Sequence, residues 1–381
     1  MFDESQLDHP DALARADTGG LLLGVAAAGA RVRTAARHAA EAGIADLKPD
    51  GRPRTVLIAG PGAAPRHLAD LLGALAGCPV LPVPATGATP APPELRWALP
   101  GWAGPLDLLL LATYDGTEPG LALLVEQAYR HGCTVAAVAP GGSPLTGAVQ
   151  QAHGLALPFA PPPFHEGTHG RAGAEEADPG ALWALLTPLL ALVDRVGLAA
   201  TGPGTVQAVA DRLDLAADRF GPVADTYRNP AKTLAAELDG SLPLVWSEGP
   251  LTAPVARRFA AALAVRAGRP ALAATLPQAL ADHAALLAGS GAFGDDLDDF
   301  FRDRVEESAS LRPRIVLLRE PGGPPSAAVT EAAHRDGTPL SVIDAPSGSP
   351  AEALAELTAL TDFAAVYLAL ASTAPGGDTA A

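Results

Sequence analysis

The sequence predicts an α/β fold: two three-layer α/β/α domains, each built on a parallel sheet. Three observations lead there. Short continuous apolar runs, the pattern of strands buried on both faces, alternate with helix-length segments. That alternation occurs twice, on either side of a Pro/Gly-rich stretch and a helical segment. Hydrophobic residues make up 48% of the 381-residue chain and charged residues 18%, which supplies core enough for two domains.

Residues 11–46 read as one or two helices, with Ala and Leu on one face and Arg31, Arg33, Arg37 and His38 on the other. The run Thr55-Val56-Leu57-Ile58-Ala59 reads as a buried strand ending in Gly60-Pro61-Gly62, with a helix over 64–77 behind it. Further strands are expected at 79–83, 106–111 and 134–138, with a helix over 118–131. Residues 158–178, with Pro161-Pro162-Pro163 and several glycines, read as a linker, and 180–220 as helical with a break near Thr201-Gly202-Pro203-Gly204. The alternation then resumes, with strands at 242–246, 271–275, 314–318 and 339–343. Helices are expected at 252–267, 276–288, 295–308, 325–336 and 349–372. The expected division is an N-terminal domain with leading helices over 1–165, a linker and helical segment over 166–222, and a C-terminal domain over 223–381. The halves share no fixed-period repeat, so their kinship rests on element order.

Charge excludes some partners. With 26 basic and 42 acidic residues the net charge is −16, which opposes a general nucleic-acid partner or an anionic membrane surface. A local phosphate site built from backbone N–H groups and hydroxyls remains open. Cys78 and Cys133, each beside an apolar run, read as free thiols of a reducing compartment, and no cofactor or metal is expected. The N-terminus is acidic and lacks an apolar signal region, so a cytoplasmic location is expected. The apolar stretches at 20–31 and 179–200 are interrupted by Gly, Arg, Pro or Asp and do not read as membrane spans.

Two landmarks carry a resemblance. Asn229-Pro230-Ala231-Lys232 precedes a Leu/Ala helix and the apolar run Leu242-Pro243-Leu244-Val245-Trp246, and Asp362-Phe363-Ala364-Ala365-Val366-Tyr367-Leu368-Ala369-Leu370 lies near the end of the chain. In this order and spacing they resemble the bifunctional phosphoglucose/phosphomannose isomerase family, whose members carry two SIS (sugar isomerase) domains. The resemblance covers roughly residues 50–375 and implies a homodimer that binds a sugar phosphate or related carbohydrate derivative in a cleft.

The places that should carry chemistry are altered. Gly60 and Gly62 sit in a strand-to-helix turn that suits a phosphate, but the family's serines are replaced by Ala63 and Ala64, and a plain βα turn is the competing reading. Thr113-Tyr114-Asp115-Gly116-Thr117-Glu118 resembles the family's hydroxyl-rich sugar-phosphate loop, Ser-Tyr-Ser-Gly-Asn-Thr. Thr113, Tyr114, Asp115, Gly116 and Thr117 are therefore candidate ligand-binding residues. Asp115 and Glu118 replace a serine and a threonine, and two carboxylates repel a phosphate dianion. They fit a hydroxyl or an amine, or they shape a turn and a helix start.

By the resemblance, the glutamate that moves a proton between C1 and C2 aligns with Val265, and no Glu or Asp occurs between Pro250 and Leu280. His283 resembles the family's ring-opening histidine and is the candidate catalytic residue, although a lone helical histidine is more often structural. The expected C-terminal lysine is absent, because the only lysines are Lys48 and Lys232, and an arginine expected after Gly141-Gly142 is not evident before Arg171.

Two motifs are declined. His165-Glu166-Gly167-Thr168-His169 has the HExxH zinc spacing but follows three prolines and contains Gly167, which disfavours the helix such a site needs. Asp295-Asp296-Leu297-Asp298-Asp299 reads as an acidic first helical turn rather than a cation site. The functional expectation is a sugar-derivative-binding protein with lost or reduced aldose–ketose isomerisation. The alternatives are an active isomerase with acid/base groups relocated to Asp115, Glu118, Asp282 or His283, an enzyme acting on a different sugar derivative, and a structural or regulatory partner.

Overall fold

The computed structural model describes residues 2–49, 51–159, 178–291, 312–320 and 326–372. The His165–His169 motif, the acidic run 295–299 and the helix expected at 295–308 lie outside them.

The first sheet contains β1 (Thr55–Ala59), β2 (Val80–Pro82), β3 (Asp107–Ala112), β4 (Thr134–Ala139) and β5 (Leu155–Pro158). They lie in the order β2-β1-β3-β4-β5 and every pairing is parallel. Leu57, Leu109, Leu111, Val135 and Ala137 enter one core with Leu121, Leu124 and Val125 of the helix Pro119–His131 and Val149 of the helix Pro144–Gln151. The alternate residues Val56, Ile58, Leu108 and Leu110 are equally buried. Both faces are covered, which is why these strands read as continuous apolar runs.

The second sheet holds β6 (Leu242–Glu248), β7 (Leu272–Thr275), β8 (Pro313–Arg319) and β9 (Leu340–Asp344), in the order β7-β6-β8-β9, again all parallel. Leu244, Trp246, Ile315 and Leu317 pack with Val329, Ala332 and Ala333 of the helix Ala327–Arg335. Val245, Val316 and Leu318 bury the other face.

The chain forms two compact units. One comprises Leu23–Ala217 and Ser349–Ala355, the other Met1–Leu22, Asp218–Gly348 and Glu356–Ala381. The leading residues, grouped with the first sheet in the sequence reading, therefore cluster with the second. Leu7 is fully buried there, and the Asp8 carboxylate accepts the Thr226 N–H at 2.8 Å.

Some elements differ from expectation for local reasons. Residues 11–46 form three helices, Pro10–Ala16, Leu21–Ala26 and Ala28–Glu41. The break uses Gly20 at φ +66°, and the Asp17 carboxylate accepts the N–H groups of Leu21 and Leu22 at 2.7 and 2.8 Å. The segment expected as one helix over 276–288 divides at His283 into Gln278–Asp282 and Ala284–Gly291. Strand β5 and the helix Pro144–Gln151 were not expected. Pro158 concealed the strand, since it reads as a loop residue but is tolerated at a sheet edge.

Helix Pro350–Ser372 is the one described helix long and apolar enough to cross a bilayer. Its most apolar stretch is 89% buried inside the protein, the setting of a core helix.

Candidate functional site

In a doubly wound sheet, ligands bind outside the carboxyl ends of the strands where connections diverge to opposite sides. In the first sheet that point lies between β1 and β3. The loops after these strands are the glycine turn 60–62 and the segment 113–118, so tertiary structure brings the sequence-predicted ligand-binding residues of this unit to one crevice.

Gly60 is there because nothing larger fits: a Cβ would lie 2.0 Å from the Ala112 carbonyl oxygen. Gly62 turns the chain with φ +66° into the helix Ala64–Leu75, whose N-terminus has no side-chain cap. Gly116, at φ +68°, would place a Cβ 2.5 Å from Ser143 Oγ, so it also serves a close approach.

The loop 113–118 spends its polar groups on itself. A threonine hydroxyl has one proton and two lone pairs. Buried Thr113 donates to the Glu118 carboxylate at 3.1 Å and accepts the N–H groups of Gly116 at 3.1 Å and Asp115 at 3.3 Å. Exposed Asp115 takes both the N–H and the hydroxyl of Thr117 on Oδ1, at 3.0 and 3.1 Å. Tyr114 lies edge-on to Phe159 with ring centroids 5.6 Å apart.

Glu118 is the N-cap residue of the helix Pro119–His131 and only 4% exposed. Burial pushes its carboxyl up to about 7, and the nearby charge of Asp115 pushes the same way. Glu118 therefore holds or releases a proton near neutrality beside Thr113. The sequence offered a partial signal for it, a carboxylate where the family has threonine; its burial needed the fold.

In the other unit the two sequence landmarks meet. Asn229 caps the helix Pro230–Leu238 by accepting the N–H groups of Ala231 and Lys232, and its amide donates to the carbonyls of Phe220 and Gly221. Lys232 is fully buried. Its ammonium donates to the carbonyls of Leu7, Pro222 and Ala224 and lies 5.6 Å from the Tyr367 ring centroid. Tyr367 donates to the Phe220 carbonyl at 2.6 Å. Asp362 pairs with Arg258 at 2.7 Å and Arg266 at 3.6 Å, all nearly buried. These residues staple the unit together.

His283 is 6% exposed, and its Nδ1 accepts the indole N–H of Trp246 at 2.8 Å. That bond fixes a neutral ring protonated on Nε2, and burial lowers its pKa further. Val265, which the sequence reading sets in the place of the family's base, is 75% exposed.

Sequence reasoning missed two carboxylates at the switch point of this sheet, between β6 and β8. Glu248 ends β6, and Glu320 follows β8 and accepts the Leu251 N–H at 2.7 Å just before the helix Ala253–Ala267. Gly249, at φ +102°, leaves room for that carboxylate: a Cβ would stand 2.5 Å from Glu320 Oε1. The available signal was an acidic residue ending each apolar run. Among the described residues no group of three or more His, Cys, Asp or Glu is placed to hold a metal ion.

Residues 227–376 match the family of bacterial phospho-glucose isomerase C-terminal SIS domains. Over that C-terminal segment the chain is similar to the SIS domains of bacterial phospho-glucose isomerases. Its fold is shared by a hypothetical protein from Thermus thermophilus (TM-score 0.59, 13% identity, 96% of this chain and 89% of that one). It is also shared by a proposed phosphosugar isomerase from Clostridium difficile (TM-score 0.54, 11% identity, 92% of each chain). A proposed sugar-binding protein from Salmonella typhimurium is similar as well (TM-score 0.53, 12% identity, 91% of this chain and 99% of that one). Comparison with curated proteins gave no match. At the switch point of each sheet, one of the chain's own carboxylates stands where the fold would offer N–H groups to an anion.

Proposed function

We propose that this SIS protein binds a carbohydrate derivative related to sugar phosphates and has lost the aldose–ketose isomerisation of its family. The observation that carries this reading is the self-satisfied loop 113–118. The Asp115, Gly116 and Thr117 N–H groups are occupied by Thr113 Oγ1 and Asp115 Oδ1, and two carboxylates stand beside them. A phosphate dianion would have to displace those bonds and face Asp115 and Glu118. A sugar hydroxyl or amine could instead donate to the same oxygens. Catalytic loss is supported by exposed Val265 in place of the base, by Lys232 sealed in the core and by His283 Nδ1 tied to Trp246. Absence of a base alone removes of order 10²–10⁴-fold in rate. A cytoplasmic homodimer is the setting the family resemblance favours.

One observation favours a second reading. Glu118, with a pKa of about 7 at the crevice, has the proton affinity of a general acid/base, so isomerisation could run through a relocated carboxyl. The experiment is NMR-monitored interconversion of glucose 6-phosphate and mannose 6-phosphate with fructose 6-phosphate at high protein concentration, with Glu118→Gln and His283→Ala alongside. No turnover, with saturable binding of an unphosphorylated sugar or amino sugar, is the expected result. Turnover abolished by Glu118→Gln would replace the first reading with the second.

A further inference from the structure

We infer that the cavity beside strand β9 is a second ligand site, built for a hydroxylated ring compound that carries one anionic group. The cavity measures about 620 Å³, the size of a small-molecule pocket. It lies between β9, the helix Pro230–Leu238 and residues 356–360 of the helix Pro350–Ser372. All of its lining residues belong to one compact unit. It is set at the edge of the second sheet, away from the switch point between β6 and β8.

The backbone supplies the first partners. Among the described residues the sheet ends at β9. The Pro339 carbonyl accepts the Ile315 N–H, and the Ala345 N–H donates to the Arg319 carbonyl, so these odd-numbered positions turn their backbone groups to β8. Alternation along a parallel strand then turns the N–H and C=O groups of Leu340, Val342 and Asp344 to the open side, and all three residues line the cavity. No described protein group bonds them there. Such groups need water or a ligand as partner.

Charge sets what the ligand carries. Each carboxylate lining the cavity has an arginine of its own: Glu237 has Arg314 at 3.3 Å, Glu356 has Arg219 at 3.2 Å, and Asp344 has Arg319 at 3.0 Å. Arg228 lines the cavity as well and has no acidic partner among the described residues; its guanidinium lies 5.2 Å from the Tyr227 ring centroid. Four arginines thus meet three carboxylates, which leaves one positive charge in excess on a chain whose net charge is −16. A guanidinium takes a carboxylate or phosphate through paired N–H groups, and a single excess charge matches one such group rather than a polyanion. The ion-paired carboxylates keep spare lone pairs, so they accept ligand hydroxyls without requiring a cation. Tyr227, 75% exposed beside Arg228, offers an aromatic face on which a ring can stack.

The test records amide NMR spectra of the full chain with glucose 6-phosphate, adenosine monophosphate, glucose and inorganic phosphate. At least one of the two phosphorylated ring compounds is expected to bind saturably and to move the amide signals of Leu340, Val342 and Asp344. The tighter of the two identifies the ring as sugar or nucleoside. Glucose and inorganic phosphate each lack part of the recognised chemistry and should bind about tenfold or more weakly. Arg228→Ala should weaken binding about tenfold or more, with part of it restored in Arg228→Lys. Tyr227→Ala should weaken it about fivefold or more, and Tyr227→Phe should not. Both side chains are exposed, so these variants keep the fold. Three outcomes would overturn the proposal: no movement of the three amides with either compound, movement that survives Arg228→Ala unchanged, or inorganic phosphate binding as tightly as both ring compounds. The crevice reading is judged separately, on the signals of residues 113–118, so failure of one is distinct from failure of the other.

Discussion

Replacing Glu118 by Gln tests whether a buried carboxyl sits where the fold places it. Its folded pKa is about 7, against about 4.5 for an ordinary glutamate. That difference corresponds to about 3 kcal/mol favouring the protonated form. Water reaching the crevice reduces the expected effect to about 1–3 kcal/mol. The direction follows from linkage. Below about pH 4.5 both folded and unfolded states are protonated and the native state keeps its full stability. Between about pH 4.5 and 7 the unfolded chain ionises first, which draws the equilibrium towards unfolding, and above about 7 the loss is complete. Glutamine cannot ionise, so Glu118→Gln removes this slope while still accepting the Thr113 hydroxyl. Urea unfolding of both proteins from pH 4 to pH 8 gives the difference, and other titrations cancel in it. Wild type should lose about 1–3 kcal/mol relative to the variant as pH rises across that range. A difference that stays flat, or that moves the other way, refutes the buried, proton-holding Glu118.

Two further substitutions probe the C-terminal unit. Lys232→Met keeps much of the side-chain volume but leaves the carbonyls of Leu7, Pro222 and Ala224 without their donor. It should lower stability by about 2–4 kcal/mol in urea unfolding and make the first residues more sensitive to limited proteolysis. His283→Phe strands the Trp246 indole N–H and should cost about 1–3 kcal/mol, most of it recovered when Trp246→Phe is added. Because burial lowers the His283 pKa, the unfolded chain takes that proton first and wild-type stability falls as pH drops through about 6.5. The His283→Phe variant should lack that fall.

Much of the fold was legible because parallel strands buried on both faces must be written as apolar runs. Thr55–Ala59, Asp107–Ala112 and Pro313–Arg319 announce themselves in this way. What stayed hidden was weak locally and strong only in context. Leu155–Pro158 is a strand because β4 offers it a register, not because its four residues demand one. Residues 2–22 could not be assigned to a sheet from helical pattern alone, since the decisive contacts, Leu7 with Lys232 and Asp8 with Thr226, join residues far apart in sequence.

The candidate site divides in the same way. The sequence itself carries Val265, Ala63-Ala64 and no lysine between Lys232 and Leu370 where the family resemblance leads one to expect a base, serines and a lysine. Sequence also set carboxylates at 115 and 118. It could not say that Thr113 would consume its hydroxyl on Glu118, that Asp115 would be exposed while Glu118 was buried, or that His283 would give Nδ1 to Trp246. Residue type determines which protons and charges exist. Burial and hydrogen-bond partners, which depend on distant segments packing together, decide which of them remain available to a ligand.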